Sequence, residues 1–523
     1  MDKKGFFGSG RIGFRCFAAG LLAVICMTAA AGRKEISLKE EFYGKLLAEQ
    51  TAGDVREGQE QLDHVGEEEK SQESGVGDGT TNQQDVSGET AGASDPQEEE
   101  QAADAGETTD GMIRVLLMDD GYQSYWHSQV TVEGNVPLAV TGSVVETWPA
   151  DSPLSLSELL KPGDQVTVAP AEEKEEARIS VLSLARSQGT PAYEGSLTVT
   201  AEEEGFLLCS QVDLETYLKY VVPSEMPSGY PAEALKAQAV CARTYAVRQK
   251  EENRLKQYGA DVDDSVSFQV YNNIGRQSST DEAVDATGGV VMTYEGEPIQ
   301  AYFFSTSCGH TSTDEVWGGE GAPYLRSVEV SRQSVEPDAL EAWAAGPFLA
   351  SEESFRNFLD LPDPDDYERE DTWYRWQITL PVRLLQQAAG KFCPQVGTVA
   401  GIKVLERSGG GAAKKLEITG DQGVCLLKDE YSIREFLSPG DVPITCGDGT
   451  LSTAMSILPS AYFVCEPVYQ EEALKAVTLR GGGYGHGVGM SQNGARHLAD
   501  DGKNWKEILN VFYREITLEQ PDA

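Results

Sequence analysis

The sequence predicts an α+β protein: mixed, mainly antiparallel strands with a few helices, forming a core with an inserted second lobe behind a disordered acidic stalk. Three observations predict it. Short β-branched and apolar runs recur from Met112 onward, a long Ala-rich helical stretch begins at Pro231, and a glycine-rich loop near the C-terminus leads into two more helical stretches.

In chain order, Lys3, Lys4, Arg11 and Arg15 precede an apolar stretch from Cys16 to Gly32. That stretch falls between a signal-peptide core and the roughly 20 residues of a membrane span. Ala29-Ala30-Ala31 suits a cleavage site, and Arg33-Lys34 just beyond suits an uncleaved anchor. Residues 1–33 are read as one or the other, which places the rest of the chain outside the cytoplasm, membrane-anchored or secreted. Residues 34–111 are rich in Glu, Asp, Gln, Gly, Ser and Thr, with runs such as Glu67-Glu68-Glu69 and Glu98-Glu99-Glu100. Such a segment buries too little apolar surface to offset its chain entropy and is expected to be disordered. Ile36, Leu38, Phe42, Leu46 and Leu47 would make one short helix in it.

An ordered domain is expected over 112–522. Ile113–Leu117, Val130–Val132, Gln165–Val168 and Ser196–Val199 read as strands. Asp213 opens a short amphipathic turn, and Pro231 suits the first position of a helix whose Leu235, Ala239, Ala242 and Ala246 mark one buried stripe. Residues of about 331–467 mix acidic, aromatic and strand-like stretches and read as the inserted lobe. After the loop Gly481–Gly489 come helices near Ser491–Leu498 and Trp505–Tyr513, the latter opened by Asn504 and Glu507 as a capping box.

Charge narrows the function. Against 85 acidic residues stand 42 basic ones, a net −43, which excludes nucleic acid as a partner and disfavours anionic lipid. Membrane contact is left to the N-terminal segment alone. Of nine cysteines, seven lie beyond that segment and none forms a Cys-x-x-Cys pair; disulfides can form among Cys393, Cys425, Cys446 and Cys465.

Four segments can carry chemistry. In Val222-Pro223-Ser224-Glu225-Met226-Pro227 a carboxylate sits between prolines and beside Met, a setting that favours the neutral form a general acid needs; a solvated loop Glu is the commoner case. Lys236, Gln238 and Arg243 are polar groups on the Ala-rich helix, able to reach a sugar or carboxylate, or merely solvated. Tyr302 to Thr311 reads as a strand ending in hydroxyl residues, including Ser305, where Cys308 and His310 are zinc-type ligands two short of a site. Tyr484, His486, Ser491 and Gln492 lie in or beside the alternating glycines, which let backbone approach a ligand and lead into a helix N-terminus. The loop lacks the ending of a nucleotide-binding loop, and Asn493 stands where a hydrolase elbow needs glycine.

Taken together, these segments resemble the SpoIID/LytB family. Glu225-Met226-Pro227 with Pro231 through Ala246 is similar to its first block. Ser305–Thr311 with Asp314–Gly318 and Pro323–Leu325 is similar to its second, and Leu458-Pro459-Ser460 with Phe463 and Gly483–Ala495 to its last two. The resemblance runs from about Met112 to Leu518. It implies a lytic transglycosylase of sporulating bacteria, acting at the septum and forespore membrane on glycan strands whose stem peptides an amidase partner has removed. Glu225 falls on the family's acidic residue and Arg243 on its Ala-Arg-Thr-Tyr arginine. The chemistry requires no cofactor; zinc at Cys308 and His310 is the one candidate, and Phe304 stands where relatives often carry His. The alternative within the family is a non-catalytic glycan-binding enhancer of a cell-wall amidase.

Overall fold

A computed structural model describes residues 111–520, apart from positions 173, 175, 187, 266, 272–273, 333–348, 363 and 454. The expected N-terminal segment, the acidic stalk and the short helix at its start lie outside the described residues, as does part of the expected lobe. No helix among the described residues is long and apolar enough to cross a membrane.

The fold is α+β, with mainly antiparallel strands. The N-terminal part is a seven-stranded sheet whose neighbours run Val262–Asp263, Met112–Leu116, Gly205–Asp213, Ser196–Glu202, Gln165–Pro170, Leu138–Gly142 and Glu146–Trp148. A four-stranded sheet around Thr131–Gly134 packs with it. Alternation explains the packing: in Ser196–Glu202, Leu197, Val199 and Ala201 are buried and the residues between them less so.

The last strand of that meander leads into helix α1 (Leu214–Glu225), whose N-cap Asp213 accepts the Thr216 N–H. Helix α2 (Ala232–Glu252) follows, with Pro231 at the N-cap and Asn253 closing it in the left-handed conformation. The predicted single stripe on α2 proves to be two buried faces. Ala234, Leu235, Ala237, Val240 and Cys241 join one apolar cluster, while Ala239, Ala242 and Ala246 join the other. A helix wedged between two cores needs small side chains on both sides, which is what the alanine content supplies.

The second core contains helix α3 (Ser278–Ala286) at its margin and a five-stranded sheet in the order Leu451–Ser452, Ile444–Cys446, Trp376–Pro381, Ala473–Gly481 and Phe463–Gln470. A three-stranded sheet (Val399–Arg407, Ala413–Gly420, Val424–Leu427) and helices α4 (Glu352–Leu359), α5 (Val382–Phe392) and α6 (Glu430–Phe436) complete this region. A disulfide joins Cys393, at the end of α5, to Cys425. The five-stranded sheet takes Ala473–Gly481 from beyond residue 467, so it reaches directly into the glycine-rich loop. Helices α7 (Gln492–Asp500) and α8 (Trp505–Phe512) then return to pack on α2. The Asn504–Glu507 capping box is formed as predicted.

Candidate active site

Glu225 is the last residue of α1, where the sequence suggested a proline-stiffened loop. A proline near a helix end removes only the bond to the carbonyl four residues earlier. The turn survives because Ser224 Oγ donates to the Tyr220 carbonyl at 2.7 Å and the Met226 N–H closes on the Val222 carbonyl at 2.9 Å.

Glu225 as a residue is partly buried. Its Oε1 accepts the Val270 N–H at 2.7 Å. Val270 ends a segment pinned by buried polar contacts. Asp264 pairs with Arg186 at 2.6 Å and accepts the Met118 N–H at 2.9 Å. Asp263 accepts the Tyr125 hydroxyl at 2.9 Å, and burial pushes its carboxyl up to about 6. Gln269 Nε2 donates to the Ala242 carbonyl of α2 at 3.1 Å. From the opposite side, Gln492 Nε2 donates to the Glu225 carbonyl at 3.1 Å and lies 3.4 Å from Gln238 Oε1. Gln238 Nε2 is a buried donor with no acceptor among the described residues.

Asn493 extends this cluster. Its Oδ1 accepts the Tyr230 hydroxyl at 2.6 Å, its Nδ2 donates to Thr306 Oγ1 at 2.9 Å, and its N–H donates to the Ser305 carbonyl at 3.0 Å. Thr306 and Tyr484 exchange backbone hydrogen bonds of 3.1 and 2.8 Å, and the Tyr484 ring packs 5.0 Å from that of Trp373. The fold thus links Glu225, Gln238, Gln492, Ser305 and Tyr484 into one continuous set. Tyr230, Asn493, Thr306 and Trp373 belong to it and were not singled out from the sequence. The Tyr230 and Asn493 pairing spans 263 residues, beyond the reach of any local pattern.

The other sequence candidates sit elsewhere. Arg243 is buried and grips Glu215, at the opposite end of α1, through two bonds of 2.6 and 2.7 Å; it also donates to the Val284 and Val290 carbonyls at 3.2 Å each. It anchors the helix that carries Glu225 and does not reach the carboxyl. Lys236 pairs with Glu233 at 2.7 Å, and Glu233 in turn caps α8 through the Trp505 N–H at 2.9 Å.

His486 uses both ring nitrogens on backbone: Nε2 lies 3.0 Å from the Phe303 carbonyl and Nδ1 accepts the Val488 N–H at 3.1 Å. That pattern requires the proton on Nε2, and burial among Phe304, Tyr302 and Trp317 pushes its pKa down to about 3. It shapes the loop, with neither nitrogen left for a substrate. The flanking glycines are explained by the same crowding. Gly487 and Gly489 both have positive φ, and a Cβ would fall 2.2 Å from the Tyr462 hydroxyl or 2.0 Å from the Tyr302 carbonyl. The close approach is to the protein itself.

Ser491 is buried, caps α7 through the Gly494 N–H at 3.2 Å, and donates to Glu368 Oε1 at 2.6 Å. Glu368 also accepts the Ser307 N–H at 2.8 Å and bonds the Ser307 hydroxyl. Burial pushes its carboxyl up to about 8. This second acid was not singled out from the sequence, because it follows the acidic run Asp363–Asp366, which reads as solvated.

Cys308 and His310 are both buried, and burial drives the thiol up to about 12 and the imidazole down to about 3. The Arg375 guanidinium, which donates to the Cys308 carbonyl at 2.8 Å, opposes a cation there. Among the described residues no group of three or more His, Cys, Asp and Glu side chains is placed to hold a metal ion. The donor set does not suit zinc.

The sequence is similar to those of known proteins. A family model described as Stage II sporulation protein matches residues 202–294, which span α1, α2 and the Val270 segment. A Domain of unknown function (DUF8618) matches residues 311–489. Stage II sporulation protein D of Bacillus subtilis (strain 168) is 31% identical over 378 residues, covering 68% of this chain and 91% of that protein. Its counterpart in Bacillus amyloliquefaciens is 28% identical, covering 60% of this chain and 76% of that protein. An amidase enhancer of Bacillus subtilis (strain 168) is 28% identical over 58% of this chain, but the match spans only 40% of the enhancer's length. The chain belongs to the SpoIID/LytB family.

Proposed function

We propose that this protein acts on the bacterial cell wall as a lytic transglycosylase, cutting peptidoglycan glycan strands between N-acetylmuramic acid and N-acetylglucosamine. The observation that carries the reading is Glu225. It is a partly buried residue on a helix end, its carboxyl oriented by the Val270 N–H at 2.7 Å and set where the first and last family blocks meet through Gln492.

Glu225 in its acid form donates its proton to the glycosidic oxygen as the C1–O bond breaks, and the sugar passes through an oxocarbenium-like state. Glu225, now a carboxylate, takes the proton of the C6 hydroxyl as that oxygen closes on C1. The products are a 1,6-anhydro end and a free hydroxyl on the leaving strand, and the enzyme regains its starting protonation. The substrate supplies the nucleophile, so a second carboxylate is unnecessary. Glu368 does not contend for that role, being wholly buried.

The Cys393–Cys425 disulfide supports an oxidising, extracytoplasmic location. The names of the relatives support a place in sporulation and a cell-wall amidase as partner; action at the septum or forespore membrane, on glycan from which the amidase has stripped peptides, is part of the proposal. Attachment through residues 1–33 belongs to the same proposal. The test is mass spectrometry of muropeptides after incubating the protein with peptide-free glycan strands. Anhydro-ended fragments are expected; reducing ends would mean hydrolysis and contradict the transglycosylase. The second reading, a non-catalytic glycan-binding enhancer of an amidase, is favoured by the amidase enhancer relative. It predicts binding without cleavage and faster turnover by the amidase.

A further inference from the structure

Six side chains in the set around Glu225 are only half-buried: Glu225, Tyr230, Asn493, Ser305, Tyr484 and Trp373. A chain of contacts runs from Glu225 through Gln492 and its neighbour Asn493 to Thr306, Tyr484 and Trp373, with the acid at one end and two aromatic rings at the other. Both rings are firmly mounted. The Trp373 carbonyl accepts the Gly483 N–H at 2.8 Å, Tyr484 is bonded through its backbone to Thr306, and the rings meet at 46° with 5.0 Å between centroids. Tyr230, bonded to Asn493, has its ring 5.4 Å from the Arg496 guanidinium, which Asp371 holds at 2.6 Å.

A rigid, partly exposed aromatic pair offers an apolar face beside polar edges. A pyranose ring has that same division, with axial C–H groups on its faces and hydroxyls around its rim. An extended peptide would seek a free backbone edge, and here Thr306 and Tyr484 already use their backbone groups on each other.

We propose that Trp373 and Tyr484 form a sugar-stacking subsite, set away from the bond that Glu225 cleaves, so that the site takes a β-linked amino-sugar polymer and not a disaccharide. The inference rests on the reading of Glu225 as the centre of a glycan-directed site. Stacking on Trp373 places one sugar, and Ser305 and Asn493 face the rim hydroxyls of the strand on its way to Glu225.

The experiment titrates the full-length protein with peptide-free glycan strands and with chitotetraose, following intrinsic tryptophan fluorescence and equilibrium affinity. Wild type, Trp373→Ala, Tyr484→Ala and Trp373→Phe are compared, each with its melting temperature. Trp373→Ala is expected to bind both probes roughly 3- to 10-fold more weakly, with the loss appearing in KM for glycan strands more than in kcat. Trp373→Phe, which keeps a ring, should retain most of the affinity and lose the fluorescence response. Unchanged affinity in Trp373→Ala, or a wild-type response that survives in Trp373→Phe, overturns the subsite. So does a wild type that binds neither probe, or a Trp373→Ala defect confined to stem peptides. A wild type that cuts glycan while Trp373→Ala binds normally removes the subsite and leaves the reading of Glu225 intact. Glycan binding weakened by Trp373→Ala, with no cleavage by any variant, removes the catalytic reading and keeps the subsite.

Discussion

Two glutamates flank one helix start and have opposite surroundings. Gln492, the first residue of α7, donates to the backbone of Glu225; its neighbour Ser491 donates to the side chain of Glu368. Glu225 is partly exposed, and the Val270 N–H donates to its carboxyl. Glu368 is closed off, tied by both serines, and held near the protonated state by burial. A perturbed, buried acid close to the family blocks is not by that fact a reacting one. Access separates them: Glu225 is partly exposed, while Glu368 is wholly buried, joins Ser307 to Ser491 and so fixes the second block against the last.

The largest expected effect separates the two acids by rate. Glu225→Gln keeps the acceptor for Val270 and should lower the rate of anhydro-end formation by about 10²–10⁴-fold, with the melting temperature close to that of wild type. Glu368→Ala should act on stability instead, costing roughly 2–4 kcal/mol in denaturant unfolding, because it leaves a cavity and strips Ser307 and Ser491 of a buried partner. Arg243→Ala comes next, at about 2–3 kcal/mol. The substitution leaves a cavity and strips Glu215 and the Val284 and Val290 carbonyls of their donor, but Glu215 is 33% exposed and stays hydrated.

A smaller effect sharpens the contrast by pH. The Glu368 carboxyl is raised in the folded protein, from 4.5 to about 8, so the folded state holds a proton that the unfolded state has released. Its contribution is fully present below about pH 4.5 and is lost as pH rises toward 8. Glu368→Gln mimics the protonated form and should flatten the fall of melting temperature across that interval; an unchanged slope would show that Glu368 is not its source. The smallest effect is at Lys236, whose ion pair with Glu233 is partly exposed at both ends. Lys236→Ala should change stability by less than about 0.5 kcal/mol.

The sequence made some of this legible, for local reasons. Strands with alternating burial, the Ala-rich helix and the Asn504 capping box are written in short-range patterns, and all formed. Glu225 was legible as a candidate because its neighbours are distinctive, yet its place on a helix end was misread, since proline in a final turn looks like a loop. His486 was misread for a related reason. Alternating glycines do signal close approach, but the sequence does not say to what, and here the partners are Tyr302 and Tyr462. Arg243 belongs to the same block as the acid and lies away from it in space, because it sits on α2 and grips Glu215, at the other end of α1 from Glu225. Glu368, Trp373 and Asn493 owe their positions to contacts across 61 to 263 residues, and no local period encodes those.

The most direct test of the central claim compares Glu225→Gln and Glu368→Gln in one assay: single-turnover release of 1,6-anhydro ends from peptide-free glycan strands at a temperature where both variants are folded. Glu225→Gln is expected to release essentially none while Glu368→Gln stays within a few-fold of wild type. Release by Glu225→Gln at the wild-type rate, or its loss in Glu368→Gln alone, would contradict it.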